Sequence, residues 1–256
     1  MEVSLPGREL EGKVALVTGG SRGIGRAIAL RLAQGGVHVA FNYVRHHQAA
    51  REAEEAIRGL GVRCLRVRAH LGDVKEIEKL FQAVASEFGR LDILVNNAAS
   101  GVQRRLLDLE ERHWDWVMDI NAKSAWLCAK AAVGLMDRGG CIINVTSLGS
   151  QRVLPYYFSV GVSKAALEAV TRYMAVELAE KGIAVNAVSG GYVETEALQH
   201  FPNKEEMLAA AASRTPAGRR VAPDDIAGVV AFLCSREAEM IRGQIVVVDG
   251  GFSLLA

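Results

Sequence analysis

Thr18-Gly19-Gly20-Ser21-Arg22-Gly23-Ile24-Gly25 decides the fold of this 256-residue chain. The apolar run Val14–Thr18 leads into it and a stretch of helical period, Gly25–Gln34, leads out, so the glycines occupy a strand-to-helix turn. Glycine there permits positive φ and lets backbone N–H groups approach a pyrophosphate at a helix N-terminus, where the peptide dipoles favour an anion. The spacing departs from G-x-G-x-x-G, but its place between a first strand and a helix predicts a dinucleotide site. A tight turn and nothing more is the plainer alternative. The cofactor contacts expected here are Gly19, Ser21, Arg22, Gly23, Ile24 and Gly25.

Beyond this turn, short β-rich runs alternate with longer stretches of helical period. Strands are read at Val14–Thr18, Val37–Tyr43, Cys64–Ala69, Ile93–Val95, Cys141–Thr146, Ala184–Val188 and Ile245–Val248. Helices are read at Gly25–Gln34, Gln48–Leu60, Val74–Phe88, His113–Met136, Val160–Ala179 and Pro223–Cys234. Strands apolar on consecutive positions are buried on both faces, which indicates a parallel sheet. Crossover handedness then predicts an α/β fold: one domain over 1–256, a Rossmann-like doubly wound parallel sheet with helices on both faces.

Composition narrows the partners. Half the residues are apolar and 23% are charged, which excludes a disordered chain, and a net charge of +1 gives no basis for a nucleic-acid partner. No apolar stretch approaches the roughly 18 residues of a spanning helix, so no stable membrane insertion is expected. Met1-Glu2-Val3-Ser4-Leu5-Pro6 is not a basic start followed by an apolar run, so a cytoplasmic location is expected. Cys64, Cys128, Cys141 and Cys234 form no C-x-x-C pair and the six histidines no ligand grouping, so reduced, packed thiols and no metal are expected.

A site for NAD usually carries a carboxylate at the end of the second strand, about 20 residues beyond the glycines, to hold the ribose diol. Here that region reads Phe41-Asn42-Tyr43-Val44-Arg45-His46-His47, without an acid. Arg22 and Arg45 are placed to flank a 2′-phosphate, so NADPH is the expected cofactor; two solvated surface arginines are the alternative.

The Thr18–Gly25 turn, Asn96-Asn97-Ala98-Ala99, Asn121 in Asp119-Ile120-Asn121-Ala122-Lys123, Ser147, Lys164 and Val248-Asp249-Gly250-Gly251 together resemble the short-chain dehydrogenase/reductase family over nearly the whole chain. The resemblance implies that Asn96, Asn97 and Ala98 line the adenosine side of the cofactor and that Lys164 grips the nicotinamide ribose. Gly190 and Thr195 join the cofactor set. Where the family usually has an acidic adenine contact, this chain has His70. The resemblance also implies a homotetramer, since the family usually pairs helices across two-fold axes.

One departure carries information. Most of the family has Tyr four residues before the Lys, where this chain has Val160; the nearest ionisable candidate is Tyr157, seven residues before Lys164. On a helix seven residues rise about 10.5 Å and return to nearly the same face. This Y-x6-K spacing resembles the enoyl-acyl carrier protein reductases, and Ser147-Leu148-Gly149-Ser150, Val160–Ala169 and Val188-Ser189-Gly190-Gly191 resemble their type III, NADPH-using branch. The type I branch has a second Tyr ten residues before the catalytic one, where Ser147 stands here, and a longer glycine turn; both departures also match a ketoreductase.

The expected activity is therefore reduction of a trans-2-enoyl thioester, carried on acyl carrier protein or coenzyme A, in fatty acid synthesis. Tyr157 is the expected proton or hydrogen-bond donor, with Lys164 lowering its pKa, Ser147 orienting substrate or Tyr157, and Asn121 fixing helix geometry or a water near Lys164. Tyr156 is the alternative donor, and a packed core aromatic the plainer reading of Tyr157. The segment 190–215 is expected to cover substrate with Leu198, Phe201, Met207 and Leu208, or to pack as an ordinary helix. Trp114, Trp116 and Trp126 are expected in core or interface packing, with substrate contact as the alternative. Arg104, Arg105, Arg219 and Arg220 are candidate carrier contacts. A carbonyl reductase of the same fold, and an NADPH-binding sensor without catalysis, remain open.

Overall fold

The computed structural model describes residues 10–193 and 204–255. Seven strands, β1 (Val14–Val17), β2 (His38–Tyr43), β3 (Cys64–Arg68), β4 (Ile93–Asn96), β5 (Gly140–Ser147), β6 (Ile183–Gly190) and β7 (Ile245–Val248), form one parallel sheet in the order β3-β2-β1-β4-β5-β6-β7. Every residue of β1 and of β4 is buried, as a strand covered on both faces requires. The order reverses between β1 and β4, which opens a crevice at the carboxyl ends of these strands.

Helices α1 (Gly23–Gln34), α2 (His47–Arg58), α3 (Val74–Phe88), α4 (Glu111–Met118), α5 (Ser124–Val133), α6 (Phe158–Glu177), α7 (Lys204–Arg214) and α8 (Pro223–Leu233) complete the layers. One face of the sheet packs on Ile28 and Leu32 of α1, Ile57 of α2 and Ile226 and Val230 of α8. The other packs on Leu80 and Phe81 of α3, Cys128 of α5 and Met174 of α6. Fully buried side chains such as Phe41, Leu16 and Ile142 each contribute about 1.5–3 kcal/mol. Asp73 caps α3 by accepting the Lys75 N–H at 2.9 Å, and Gly89, at φ 71°, closes it in the left-handed region.

All seven expected strands are present, with no end shifted by more than two residues. The single helix read over His113–Met136 is instead α4, a π turn at Asp119–Lys123, and α5. Asn121 lies at the centre of that turn and is drawn out of register by bonds to two other segments, Ser100 and Ser163. Helix α6 begins at Phe158, so Tyr157 is its N-cap rather than a residue on its face. Among the described residues no helix is long and apolar enough to cross a membrane.

Candidate active site

The glycine turn is braced from both sides. Asn42, at the end of β2, accepts the Gly19 N–H at 2.9 Å and donates to the Ala69 carbonyl at 2.8 Å. Thr18 Oγ1 accepts the N–H groups of Asn97 and Ala98, each at 2.9 Å, and the Asn97 amide donates to the Thr18 carbonyl at 2.8 Å. A Cβ on Gly25 would lie 2.3 Å from the Gly19 carbonyl, so only glycine lets α1 begin this close to the turn. The result is a helix N-terminus open to a cleft of about 920 Å³, within the roughly 300–1,000 Å³ of ligand sites.

The described lining of this cleft includes Gly19, Ser21, Arg22, Gly23, Ile24, Gly25, Arg45, Asn97, Ala98, Ser147, Tyr157, Lys164 and Gly190, all expected from the sequence. It includes no carboxylate, and Arg22, Arg45 and His46 line it. That charge pattern, with the helix N-terminus, fits a phosphate-rich dinucleotide. His70 lines it as well, at the place where an adenine contact was in question. Thr195, Leu198 and Phe201 lie outside the described residues.

Two expected members fall elsewhere. Asn96 turns into the core, where its amide donates to Asn144 Oδ1 at 2.9 Å and the Ala125 carbonyl at 3.3 Å, so it braces β4 against β5. Asn121 does not line the cleft: it exchanges bonds with the Ser100 backbone at 2.8 and 2.9 Å and donates to Ser163 Oγ at 2.9 Å. It thereby ties the loop after β4 to the residue preceding Lys164.

At the other end of the cleft, Lys164 is buried and its Nζ donates to the Val145 carbonyl at 2.7 Å; burial lowers its pKa to about 8. Tyr157 OH lies 3.2 Å from Ser147 Oγ. Its ring lies over Gly149, where a Cβ would meet ring carbons at 2.5 Å. Burial raises the Tyr157 phenol pKa, the Ser147 bond lowers it in part, and the nearby Tyr192 phenol adds to the rise. The expected lowering of this pKa by Lys164 is therefore reversed: desolvation dominates both groups.

The device that aims Tyr157 leaves no signal in the residue pattern. Tyr156 has φ 60°, the one non-glycine positive φ among the described residues, and its ring stacks under Arg105 at 5.4 Å. This reversal of the chain just before α6 lets Tyr157, from the N-cap, turn toward Ser147. Val160, at the family's usual Tyr position, is buried, and a Cβ on Gly101 would lie 2.7 Å from its Cγ2. Buried Glu168, one turn beyond Lys164, accepts from Thr146 Oγ1 at 3.0 Å and pairs with Ser150, bracing the corner that holds Ser147.

The tryptophans are not core residues. Trp116 lines the cleft, Trp126 is about half exposed and Trp114 packs at 6.0 Å on Phe158. Met207 lines the cleft from α7, and Arg219 is held by Asp225 at 2.6 and 2.7 Å.

A family model described as Enoyl-(Acyl carrier protein) reductase matches residues 19–253. The 1-cyclohexenylcarbonyl-CoA reductase of Streptomyces collinus is 40% identical over 246 residues, covering 95% of this chain and 88% of that protein. The 3-oxoacyl-acyl-carrier-protein reductase of Staphylococcus aureus is 39% identical over 243 residues, 93% of this chain and 97% of the relative. The crystal structure of a short chain dehydrogenase from Burkholderia cenocepacia in complex with NADP matches with a TM-score of 0.89 at 35% identity, over 96% of this chain and 99% of that one. The chain belongs to the short-chain dehydrogenase/reductase family. It is an oxidoreductase of that family, and a nicotinamide dinucleotide is its cofactor.

Proposed function

We propose that this chain reduces trans-2-enoyl thioesters to saturated acyl thioesters with NADPH, in the manner of the type III enoyl-acyl carrier protein reductases. The observation that carries this reading is the displaced tyrosine: Val160 is buried against Gly101, while Tyr157, seven residues before Lys164, opens on the cleft beside Ser147. The name 1-cyclohexenylcarbonyl-CoA reductase also denotes an α,β-unsaturated thioester, and that relative is 40% identical.

Arg22 and Arg45 would hold the 2′-phosphate, the N–H groups from Gly19 to Gly25 the pyrophosphate, and Lys164 the nicotinamide ribose. The cofactor, when bound, supplies the hydride that adds to C3 of the enoyl group. Negative charge then collects on the thioester oxygen, where Tyr157 donates a hydrogen bond, and a proton from solvent adds to C2 to complete the saturated thioester. A phenol whose pKa is raised stays protonated at neutral pH, so Tyr157 serves as a neutral donor and not as tyrosinate. Ser147, 3.2 Å away, fixes the direction of that hydroxyl.

A second reading is carbonyl reduction, favoured by the 39% identity to a 3-oxoacyl reductase. Purified protein offered trans-2-enoyl and 3-oxoacyl thioesters, each with NADPH and NADH, separates the two. Absorbance of reduced nicotinamide should fall with NADPH on the enoyl substrate alone; consumption only on the 3-oxo substrate establishes carbonyl reduction instead.

The same proposal includes a homotetramer. Large apolar side chains are exposed on α5 (Trp126) and α6 (Tyr173 and Val176), and on α8 (Phe232) and β7 (Val247). Burial of such side chains across two-fold axes suits a tetramer. Light scattering should give a mass of four chains, and a single-chain mass would refute the assembly.

A further inference from the structure

Tyr192 follows β6 directly and lines the cleft together with Tyr157, Leu148 and Met207. Its ring is held from behind. Phe252 packs against it edge-on at 5.2 Å and 73°, and the Arg214 guanidinium covers Phe252 at 5.6 Å. The backbone just before it is pinned to the end of β7, where the Gly191 N–H donates to the Val248 carbonyl at 3.1 Å. Asp249 stiffens that end by accepting the N–H groups of Gly251 at 2.9 Å and Ser253 at 2.8 Å. The phenol is therefore presented to the cleft from a rigid support formed by the C-terminal turn.

The hydroxyl has no use in that packing. No hydrogen bond from it to another described residue is present, although the residue is partly buried. The hydroxyl oxygen is not buried, so water accepts its bond until a group that enters the cleft takes that place. It lies within electrostatic reach of Tyr157, whose phenol is raised partly by it, and its own proton is held on by burial against the opposing pull of Arg214. An oxygen that gains negative charge has lone pairs for two donors, and donors already in place cost no reorganisation when the charge forms.

We propose that Tyr192 is a second catalytic donor, its hydroxyl bonding the same substrate oxygen as Tyr157 during reduction. The assignment rests on the thioester reduction proposed above. Tyr192→Phe keeps the ring against Phe252 and removes only the hydroxyl, so the fold is retained. On the enoyl thioester its kcat should fall about 10²-fold, the lower end of the loss from removing one oxyanion donor. The Kd for NADPH, measured by nicotinamide fluorescence, should stay unchanged. A kcat within twofold of wild type overturns the assignment, and so does a raised KM at unchanged kcat, which marks ground-state binding only. If wild type turns over only the 3-oxoacyl thioester, enoyl reduction falls while the same comparison on that substrate still decides for Tyr192, because the ketone oxygen also takes up charge. Wild type inactive on both substrates overturns the reduction and this assignment together.

Discussion

Tyr157→Phe is expected to lower turnover of the enoyl thioester by about 10³-fold while NADPH still binds with its wild-type Kd. The size follows from where the charge goes. In the proposed reaction, hydride addition leaves the thioester oxygen negative in a partly buried cleft, and a donor that bonds the charged oxygen more strongly than the neutral one acts on kcat rather than on binding. The change is small for the fold: phenylalanine keeps the ring over Gly149 and loses the 3.2 Å bond to Ser147, worth about 1 kcal/mol. Steady-state kinetics with a parallel fluorescence titration of NADPH checks both halves. Full turnover with normal cofactor binding would remove Tyr157 from the chemistry and leave Tyr192 as the phenol to test. Tyr156 is a poor substitute, because it does not line the cleft and its ring stacks against Arg105.

What was legible in the sequence was what depends on local pattern. Val14–Val17 and Ile93–Asn96 are apolar at every position or nearly so, and both are central strands buried on two faces. The glycine turn, Arg22, Arg45 and Lys164 all line the cleft as expected, since a strand-to-helix turn at a reversal of strand order has few ways to be arranged. What escaped the sequence depends on contacts between distant segments. Asn96 and Asn97 are adjacent and identical in type, yet Asn96, the last residue of β4, bonds Asn144 while Asn97, just beyond the strand, bonds Thr18. Helical counting joined Tyr157 to Lys164 through a helix that starts one residue too late to include Tyr157. The aim of Tyr157 comes instead from the positive φ of Tyr156, a torsion no propensity predicts for tyrosine. Lys164 was expected to act on its neighbour's pKa, but burial displaces its own from the usual 10.5 to about 8.

That displacement makes Lys164 a burden on the fold as well as a functional group, and Lys164→Met should expose both. At pH 7 the native chain keeps a proton on a buried amine that the unfolded chain carries in water, a penalty of about 3 kcal/mol for a shift of this size. Methionine fills a similar volume without the charge; against that, the Val145 carbonyl loses its 2.7 Å bond, worth about 1 kcal/mol. The cofactor-free variant should therefore be more stable than wild type at pH 7 by about 2 kcal/mol, a rise in Tm of several degrees for a chain of this length. Its turnover should fall to background, because the group proposed to hold the ribose is gone. The pH dependence gives the sign. Between about 8 and 10.5 the unfolded chain binds a proton on this lysine that the native chain has released, so the contribution of Lys164 to wild-type stability rises with pH across that window, whereas the variant lacks it. The advantage of the variant should shrink over the same range and be nearly gone at its upper end. Thermal denaturation of both proteins at pH 7, 8.5 and 10 measures this directly. A variant less stable than wild type at pH 7, or a gap that does not narrow, would mean that the lysine is solvated or paired in the native state, and that its hold on the ribose does not begin from a buried cation.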